Sequence, residues 1–466
     1  LKLNGDNAVG LGAVGAVINV NGGKIELTSP GTMFVIQNNG KINIAADTEL
    51  VIPDNDMTIF TVIDSVFENN SERALLIPVD SVGIYGKTSV IINNSRIASK
   101  IISGVKAAQS TGIYLEDFGQ AVNNDVIDLG DKGIGLFGNY SGMRNGQTGT
   151  IIIGNEGVGE YIVFGSLMEN EGKILIGERS IGLYAKDVSG SVIYPGTGKE
   201  NQIKNSGEIY SAGELSTGIY SVGLDNVNRS EIQNTGTINL VGNSSMGIIG
   251  ERTDIINSGN ITLGSGQVSL SGIDFAMGIL GRDSKVILDG GKITLGNYSL
   301  GVGVTSILED AVLEIKAGEI SVGEEGIYNY VKNISPDKTA VLYDSSGGYY
   351  DLNRTKQVGI YSAGGDVYSN KTINVREGTD SKGVYVENGL LRDITVSGLT
   401  VNVESGETGI IAKNDPLSQK NITLNNNINV TGNSAEGLLH EEGKVINSGK
   451  IIINGTDSFG IISVVK

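Results

Sequence analysis

The sequence predicts an all-β chain that folds as a parallel solenoid with three short strands per coil and about 17 coils. Three observations support this prediction. A two-part motif recurs along the whole chain at a spacing of about 27 residues, apolar residues alternate at period two inside both parts, and glycine supplies 69 of the 466 residues. One such coil cannot bury its apolar residues alone, so a repeat of this kind is typical of coils that stack.

The first part of the motif, part A, reads Asn-x-Gly-x-Ile-x-aliphatic, as in "NTGTINL" around Gly236. Its alternation predicts that Ile238 and Leu240 face inward, while Thr237 and Asn239 face outward. The recurring Asn suits a stacked turn position, where its side chain bonds to backbone or to the Asn of the next coil. Other copies or variants centre on Gly23, Gly40, Gly172, Gly259, Gly291, Gly318 and Gly449.

The second part, part B, follows about 8 to 11 residues later and reads x-x-Gly-aliphatic-[Tyr, Ile or Leu]. The residue after its glycine, such as Ile219 or Ile327, is predicted to face inward. The next residue then faces outward and is often Tyr, so the tyrosines should stack as a stripe. The stripe either stabilises the sheet or offers an adhesive face for sugars or proteins. Its members are Tyr85, Tyr114, Tyr184, Tyr220, Tyr328, Tyr361 and Tyr385.

A third alternating run precedes each recurring Asn, as in "SEIQN" and "KVINS", and completes a coil of three strands. Three strands per coil imply three corners. Glycine is expected at those corners, because the chain turns there with positive φ. The phrases rich in Asn and Gly therefore shape the corners of the coil.

Composition excludes several classes of function. A formal net charge of −18 and a pI near 4.6 oppose binding to nucleic acid, whose affinity rests on Lys and Arg. The absence of cysteine excludes disulfides and thiolate metal sites, and no calcium-loop pattern occurs. We expect no cofactor and no metal. The start "LKLNGDNAVG" is not a signal peptide, so we expect residues 1–466 to be one continuous segment of a longer protein.

Phrases such as "NSGNITL" and "STGIYS", repeated over nearly all of the chain, resemble the passenger domains of type V autotransporter adhesins. The resemblance is greatest to the large fusobacterial outer-membrane adhesins. It implies a right-handed parallel β-helix at the bacterial cell surface, secreted through a C-terminal β-barrel that is not part of this sequence. It also implies partners, namely host-cell glycans or receptors or the surface of other bacteria. The shared motif describes the scaffold, so the resemblance transfers no binding residue.

Catalytic signatures are weak. The phrases "GLGAVG" and "GIGLFG" match a dinucleotide fingerprint, but both occupy part B positions and lack the helix that the fingerprint requires. His440 is the only histidine, and it occupies the position of Ser221 and Ser362 in other coils. We therefore expect no enzyme. The alternative is a β-helical polysaccharide lyase or hydrolase that works with carboxylates alone.

Two segments, 186–204 and 330–351, are longer than the connections at the same corner of other coils. Solenoids often carry function in insertions on one face, so both are candidate recognition loops. Together with part of the tyrosine stripe they supply the candidate binding residues. These are Tyr194, Lys199, Tyr220, Tyr330, Lys332, Asp337, Lys338, Tyr343, Tyr349, Tyr350, Tyr361 and Tyr385.

Overall fold

The computed structural model describes residues 1–45, 47–164, 167–188, 202–225, 229–269, 272–389, 392–416 and 420–464. These residues contain β-strands and no α-helix, and the strands form parallel stacked coils, a β-solenoid of about 17 turns. The predicted fold class is therefore confirmed. Contacts within the chain define two compact units, Leu1–Leu240 and Val241–Lys466.

Each coil has three strand positions, which we call faces 1, 2 and 3 in chain order. Part B lies on face 1, the run that ends in the recurring Asn lies on face 2, and part A lies on face 3. Strands of successive coils pair in parallel, as Ile209 pairs with Ile238 on face 3. Each coil thus completes the hydrogen-bond ladder of its neighbour.

In the first unit, face 1 consists of Ala8–Val14, Gly31–Gln37, Thr58–Ile63, Val82–Lys87, Thr111–Glu116, Ile134–Asn139, Val158–Val163, Ile181–Val188 and Thr217–Gly223. Face 2 consists of Val17–Val20, Lys41–Ile44, Val66–Asn69, Val90–Asn93, Gln120–Asn123, Gly142–Asn145, Met168–Asn170, Gln202–Asn205 and Ser230–Asn234. Face 3 consists of Lys2–Leu3, Gly23–Leu27, Thr48–Val51, Leu75–Ile77, Ile97–Ser99, Val126–Leu129, Thr150–Ile153, Lys173–Ile176, Glu208–Ser211 and Thr237–Leu240. An antiparallel hairpin pairs Ile101–Ile102 with Val105–Lys106.

In the second unit, face 1 consists of Met246–Glu251, Ala276–Arg282, Ser299–Ser306, Ile327–Asn333, Val358–Ala363, Lys382–Asn388, Thr408–Asn414, Glu436–Glu441 and Phe459–Val464. Faces 2 and 3 are separate strands in Thr253–Asn257 and Asn260–Leu263, Ala340–Asp344 and Tyr349–Leu352, Asp366–Ser369 and Thr372–Val375, and Val445–Asn447 and Lys450–Ile453. One strand spans both faces in Lys285–Leu295, Ala311–Ser321, Ile394–Val403 and Ile422–Val430. A second antiparallel hairpin pairs Gln267–Ser269 with Gly272–Asp274.

The core is a set of aliphatic columns that run from coil to coil. Ile238 and Leu240 are fully buried, whereas Thr237 is exposed and Asn239 is half-buried, as the alternation predicts. Most of the predicted inward residues of part B are also buried: Ile84, Ile113, Leu183, Ile219, Ile248, Ile279, Ile360, Ile410 and Leu438. Ile461, in the last described coil, is exposed.

The register corrects the prediction for Ile327 and Tyr328. On face 1, Asn329 pairs with the inward Ile360 and Tyr330 with the outward Tyr361. Ile327 therefore precedes the glycine position, and Tyr328 itself occupies that position and is buried. The stripe position of this coil belongs to Tyr330, because the phrase "EEGIYNY" places its glycine two residues too early.

The recurring Asn forms a buried side-chain ladder in the first unit, as predicted. The Nδ2 of each residue donates to the Oδ1 of the next, at 2.7 to 2.9 Å. An amide side chain both donates and accepts, so the chain of bonds continues from coil to coil between Asn69 and Asn234. Its members are Asn69, Asn93, Asn123, Asn145, Asn170, Asn205 and Asn234.

Some of the motif glycines turn with positive φ, as predicted for Gly23, Gly291 and Gly318, whereas others serve a different purpose. A Cβ on Gly236 would lie 2.2 Å from the carbonyl oxygen of Gly207, and a Cβ on Gly83 would lie 2.6 Å from that of Gly112. Neither glycine has a positive φ. Close approach of stacked coils, and not corner geometry, therefore requires these glycines. One predicted part A copy is also misplaced, because the strand Lys41–Ile44 after Gly40 lies on face 2.

Candidate binding surface

Six aromatic rings stack along face 1 of the first unit. Successive ring centroids lie 4.5 to 5.6 Å apart. All six side chains are half-buried, so each ring shows one edge to solvent. Stacked and edge-to-face rings at this spacing stabilise the sheet beyond their burial. The predicted stripe is thus present, and it includes two members that the motif did not assign: Tyr85, Tyr114, Phe137, Tyr161, Tyr184 and Tyr220.

A carboxylate fixes the hydroxyl groups at one end of this ladder. The hydroxyls of Tyr85 and Tyr114 both donate to Glu116, at 2.7 and 3.1 Å. Burial and the neighbouring Glu116 raise the pKa of Tyr114 to about 12 and raise that of Tyr85 as well. Both phenols therefore stay neutral at physiological pH and keep an apolar ring with a polar tip.

A second aromatic column lies at the corner between faces 1 and 2. Phe118, Tyr140 and Phe164 follow the ladder residues of three successive coils, and they are 53%, 38% and 44% exposed. The rings of Tyr140 and Phe164 stack at 5.5 Å with an interplanar angle of 14°. These are among the most exposed aromatic side chains of the first unit.

The backbone conformation at this corner is energetically unfavourable for aromatic residues. Phe118, Tyr140 and Phe164 have φ of 66°, 49° and 54°. The register aligns Tyr140 and Phe164 with Asp64, Thr88 and Asp117 of earlier coils, and Phe118 is the residue after Asp117. A residue other than Gly, Asn or Asp in this conformation costs roughly 1–2 kcal/mol. Strained residues that are also exposed and apolar favour a functional role over a structural one.

The two columns together form what we call the aromatic surface. It consists of the ladder rings Tyr114, Phe137 and Tyr161 and the corner rings Phe118, Tyr140 and Phe164. The columns are three or four residues apart along the chain, and successive coils are about 4.8 Å apart, so the surface measures roughly 10 Å in each direction. Such a surface can stack on a sugar ring or pack against an apolar side chain.

The second unit places the predicted residues on two faces. Tyr330, Tyr361 and Tyr385 stack on face 1 at 5.4 and 5.3 Å, and Tyr361 donates to Glu387 at 2.6 Å. Tyr343 stacks on Tyr368 at 5.4 Å on face 2, where both are exposed.

The segment 330–351 is not one long loop, as the sequence suggested. It contains the end of a face 1 strand, the face 2 strand Ala340–Asp344 and the start of the face 3 strand Tyr349–Leu352. The rest is two short connections, 334–339 and 345–348. Compared with the next coil, where the corresponding connections are 364–365 and 370–371, the extra length lies mainly in these two connections.

Not every predicted binding residue in this segment is accessible. Tyr350 is buried, stacks on Tyr328 at 4.6 Å and accepts a hydrogen bond from Asn329 Nδ2 at 2.9 Å, so it is a core residue. Asp337 and Tyr349 are exposed. The remaining two are half-buried: Lys332, and Lys338, which pairs with Glu309 at 2.8 Å.

The other predicted loop, 186–204, is described only at its ends. Tyr194 and Lys199 lie outside the described residues. Tyr220, which follows this segment, stacks on Tyr184 at 5.4 Å.

The corner aromatics and the hairpin at 101–106 were missed from the sequence. Phe118, Tyr140 and Phe164 each lie between parts B and A, where no motif fixes a register. Each of them follows an aromatic residue of the stripe by three or four residues, so an alignment of the coils on the stripe would have brought them close together. The hairpin exposes Ile101 and Val105, and a run of apolar residues in place of the usual short corner is its only signal.

His440 aligns with Ala412 on face 1, in the column that also contains Ser362. Its Nε2 lies 3.0 Å from the carbonyl oxygen of Glu442 and its Nδ1 3.0 Å from Ser463 Oγ. In the described part of the chain, no cluster of three or more His, Cys, Asp or Glu side chains could hold a metal ion. Nor do the described residues include a helix long and apolar enough to span a membrane. No protein-family model, curated protein or solved structure matches the chain.

Proposed function

We propose that this chain is an extracellular adhesive segment of a bacterial surface protein, which attaches the cell to host-cell glycans or receptors or to other bacteria. The observation that carries the proposal is the aromatic surface of the first unit. Three strained and exposed rings lie there beside a stacked ladder. The proposal agrees with the resemblance of the repeated motif to autotransporter adhesins.

The chemistry of the surface suits glycans and proteins. Tyr and Phe supply rigid apolar area at a low cost in conformational entropy, and the phenol adds a hydrogen-bonding tip. The net charge of −18 disfavours anionic polymers as partners. A neutral sugar ring or an apolar side chain with a polar rim is therefore the ligand class that we expect.

A set of matched variants tests the proposal. The triple variant Phe118→Ser, Tyr140→Ser, Phe164→Ser removes the corner column, and the double variant Tyr343→Ser, Tyr368→Ser removes an exposed stacked pair from the second unit. Binding of the purified chain to a glycan array, to cultured host cells and to partner bacteria is compared for each. We expect the triple variant to lose at least about tenfold in affinity, because exposed aromatic anchors dominate such interfaces.

The control separates the two candidate surfaces. Full binding by the triple variant would overturn the proposal, and loss of binding by the double variant alone would move the site to the residues predicted in the second unit. Incubation with a panel of polysaccharides tests the enzymatic alternative, since product formation would favour a lyase or hydrolase.

A further inference from the structure

Two successive coils of the first unit separate on two of their three faces. On face 1 they stay paired, with Phe34 opposite Phe60. On face 2, the described strand Lys41–Ile44 pairs only with the coil before it, and Val66–Asn69 pairs only with the coil after it. The same separation occurs on face 3. Four strand edges therefore face one another without a ladder between them.

The separated strands enclose a cleft that is closed at both ends. At one end, Asn39 donates its backbone N–H to Ser65 Oγ at 3.1 Å. At the other end, Val79 donates to the carbonyl oxygen of Asp54 at 3.0 Å. The volume of the cleft is about 870 Å³. Clefts of this size accommodate a ligand and bury most of its surface.

Backbone groups of the first coil point into the cleft. Lys41 and Ala45 donate their N–H groups backwards, to Ala16 and Val20, each at 2.8 Å. Amide groups alternate in direction along a strand, so those of Ile42 and Ile44 point forwards, into the cleft. Together with the carbonyl groups of the same residues, they form an unpaired strand edge. An unpaired edge favours the addition of another strand.

The opposite wall of the cleft has the same property. The carbonyl oxygens of Ser65 and Asn69 accept bonds from the next coil, at 3.0 and 2.9 Å. The intervening residues Val66 and Glu68 therefore turn their backbone groups back towards the cleft. A strand inserted between the walls could bond to both of them.

One buried polar atom in the lining lacks a partner among the described residues. Thr48 lines the cleft and is 4% exposed, and its Oγ1 has no hydrogen-bond partner. Asn69 begins the Asn ladder on the opposite wall, and its Nδ2 donates onwards to Asn93 at 2.7 Å. A bound group that hydrogen-bonds to Thr48 would compensate for the burial of its hydroxyl.

The remaining lining is apolar at its base and carries both signs of charge at its rim. Ile42, Ile59 and Phe67 supply buried apolar surface. Lys41 and Arg73 are exposed lining residues, and neither forms an ion pair with a described carboxylate. The acids Glu49 and Glu68 are exposed lining residues as well, and Glu49 lies 3.9 Å from Lys24. The two cations without an ion pair complement an acidic side chain of a ligand.

We propose that the cleft binds an extended peptide of another protein, with alternating apolar residues and at least one acidic side chain, as an added β-strand. Free edges on both walls require a backbone as partner, the apolar base requires side chains at every second residue, and Lys41 and Arg73 favour an acid opposite them. This site does not involve the aromatic surface, so its test is independent of the proposed adhesive function.

A synthetic peptide is the probe. The sequence AVLEIKAGEIS, that of residues 311–321, forms one strand across faces 2 and 3 of the second unit, with Leu313, Ile315 and Ile320 facing inward. Fluorescence anisotropy of the labelled peptide measures affinity, and hydrogen exchange locates it. We expect slower exchange at Ile42, Ile44 and Glu68. Protection confined to the first and last coils, or no binding, would overturn the proposal.

Variants of the rim and of the edge sharpen the test. The double variant Lys41→Glu, Arg73→Glu should weaken binding at least about fivefold, and Lys132→Glu, an exposed control in the same unit, should not. Ile44→Pro removes one cleft-facing N–H and leaves the ladder behind it intact, so we expect weaker binding with unchanged thermal unfolding.

Modified peptides keep the test decisive if Ile44→Pro fails to fold. A peptide N-methylated at alternate residues keeps its side chains but loses edge hydrogen bonds, and it should not bind. Equal binding of this peptide would identify a site for apolar compounds instead. Association of the chain with itself in the absence of peptide, abolished by Lys41→Glu, Arg73→Glu, would identify a second copy as the occupant. Either result overturns the proposal.

Discussion

The side-chain amide of Asn145 donates its Nδ2 hydrogen to Asn170 Oδ1 at 2.9 Å, while its own Oδ1 accepts from Asn123 Nδ2 at 2.9 Å. All three residues are buried. A buried amide with both of its groups satisfied costs little, but a broken chain of amides leaves two orphaned groups. The ladder therefore fixes the register of each coil on its neighbour.

Replacement of Asn145 by Ala should destabilise the first unit by about 2 kcal/mol, because Asn170 Oδ1 loses its donor in the interior, while Asn123 Nδ2 keeps its bond to the carbonyl oxygen of Asp125 at 2.7 Å. Asn43→Ala is the matched control. Asn43 donates to Asn19 at 2.6 Å, but this pair is exposed, so its loss should change stability by less than about 0.5 kcal/mol. Denaturant unfolding measures both values, and equal effects would contradict a special role for the buried ladder.

The regular part of the fold could be predicted because one coil repeats another. Ile238 and Asn145 occupy positions where the same residue type recurs in successive coils, so the repeat and the burial follow from the sequence. Tyr328 was misplaced because Gly326 resembles a part B glycine, whereas the register is set by pairing with the neighbouring strand. Registers depend on contacts between coils, and a local motif does not contain them.

The candidate surfaces were harder to predict for the same reason. Phe118, Tyr140 and Phe164 come together only because corners stack, and their separations of 22 and 24 residues differ. The cleft lies between the strand that ends at Ile44 and the strand that ends at Asn69, where the Asn ladder begins. The loss of pairing between these two strands has no signal in the sequence, because the motif-poor strands Val17–Val20 and Lys41–Ile44 still pair with each other.

Glu160 interrupts an aliphatic column of the first unit. It pairs with Leu136 and Leu183 on face 1, is fully buried, and neither carboxyl oxygen has a hydrogen-bond partner. Desolvation, assisted by Glu169, raises its pKa well above 4.5. The Glu160 carboxyl group of the folded chain therefore keeps its proton to a higher pH than an exposed carboxyl group.

The raised pKa of Glu160 predicts how stability depends on pH. Below about pH 4.5 both the folded and the unfolded chain carry the proton, and this group costs least. As pH rises from there to the folded pKa, only the unfolded chain ionises, so stability falls. Glu160→Leu should stabilise the protein at pH 7 by about 1–3 kcal/mol, and Glu160→Gln should remove this part of the pH dependence. Unfolding across pH 4 to 8 measures both, with Glu156→Gln as the exposed control; parallel curves for all variants would contradict the assignment.

An inward charge should open the solenoid locally. Ile238→Asp places a carboxylate in a fully buried column, at a cost of several kcal/mol. Thr237→Asp, one residue earlier and exposed, should be tolerated. Limited proteolysis and hydrogen exchange around residues 208–240 distinguish the two variants, and equal protection in both would contradict the observed direction of Ile238.

The segment 330–351 should tolerate only a short deletion. Removal of 331–345 deletes the strand Ala340–Asp344 and the buried Leu342, and should abolish cooperative unfolding of the second unit. Removal of 335–338 shortens a connection and removes the ion pair of Lys338 with Glu309 and the hydrogen bond from Asn333 Nδ2 to the Lys338 carbonyl oxygen at 2.7 Å, so it should lower stability much less than the longer deletion. Circular dichroism and calorimetry compare the two deletions. A native transition after the longer deletion would show that this strand is dispensable.

Replacement of a corner aromatic residue should weaken binding without a matching loss of stability. Tyr140→Asn loses a ring stack with Phe164 worth about 0.5–1.5 kcal/mol, but it relieves a backbone conformation that costs Tyr about 1–2 kcal/mol and suits Asn. The two effects oppose each other, so the free energy of unfolding should change by less than about 1 kcal/mol. Phe137→Asn is the contrasting variant: its ring stacks on Tyr114 and packs edge-to-face against Tyr161, and no strain is relieved there. It should cost more stability than Tyr140→Asn.

If the corner rings are retained for binding, Tyr140→Asn should weaken adhesion while the thermal midpoint stays near that of the parent chain. A large loss of stability with unchanged adhesion would instead assign these rings to the scaffold.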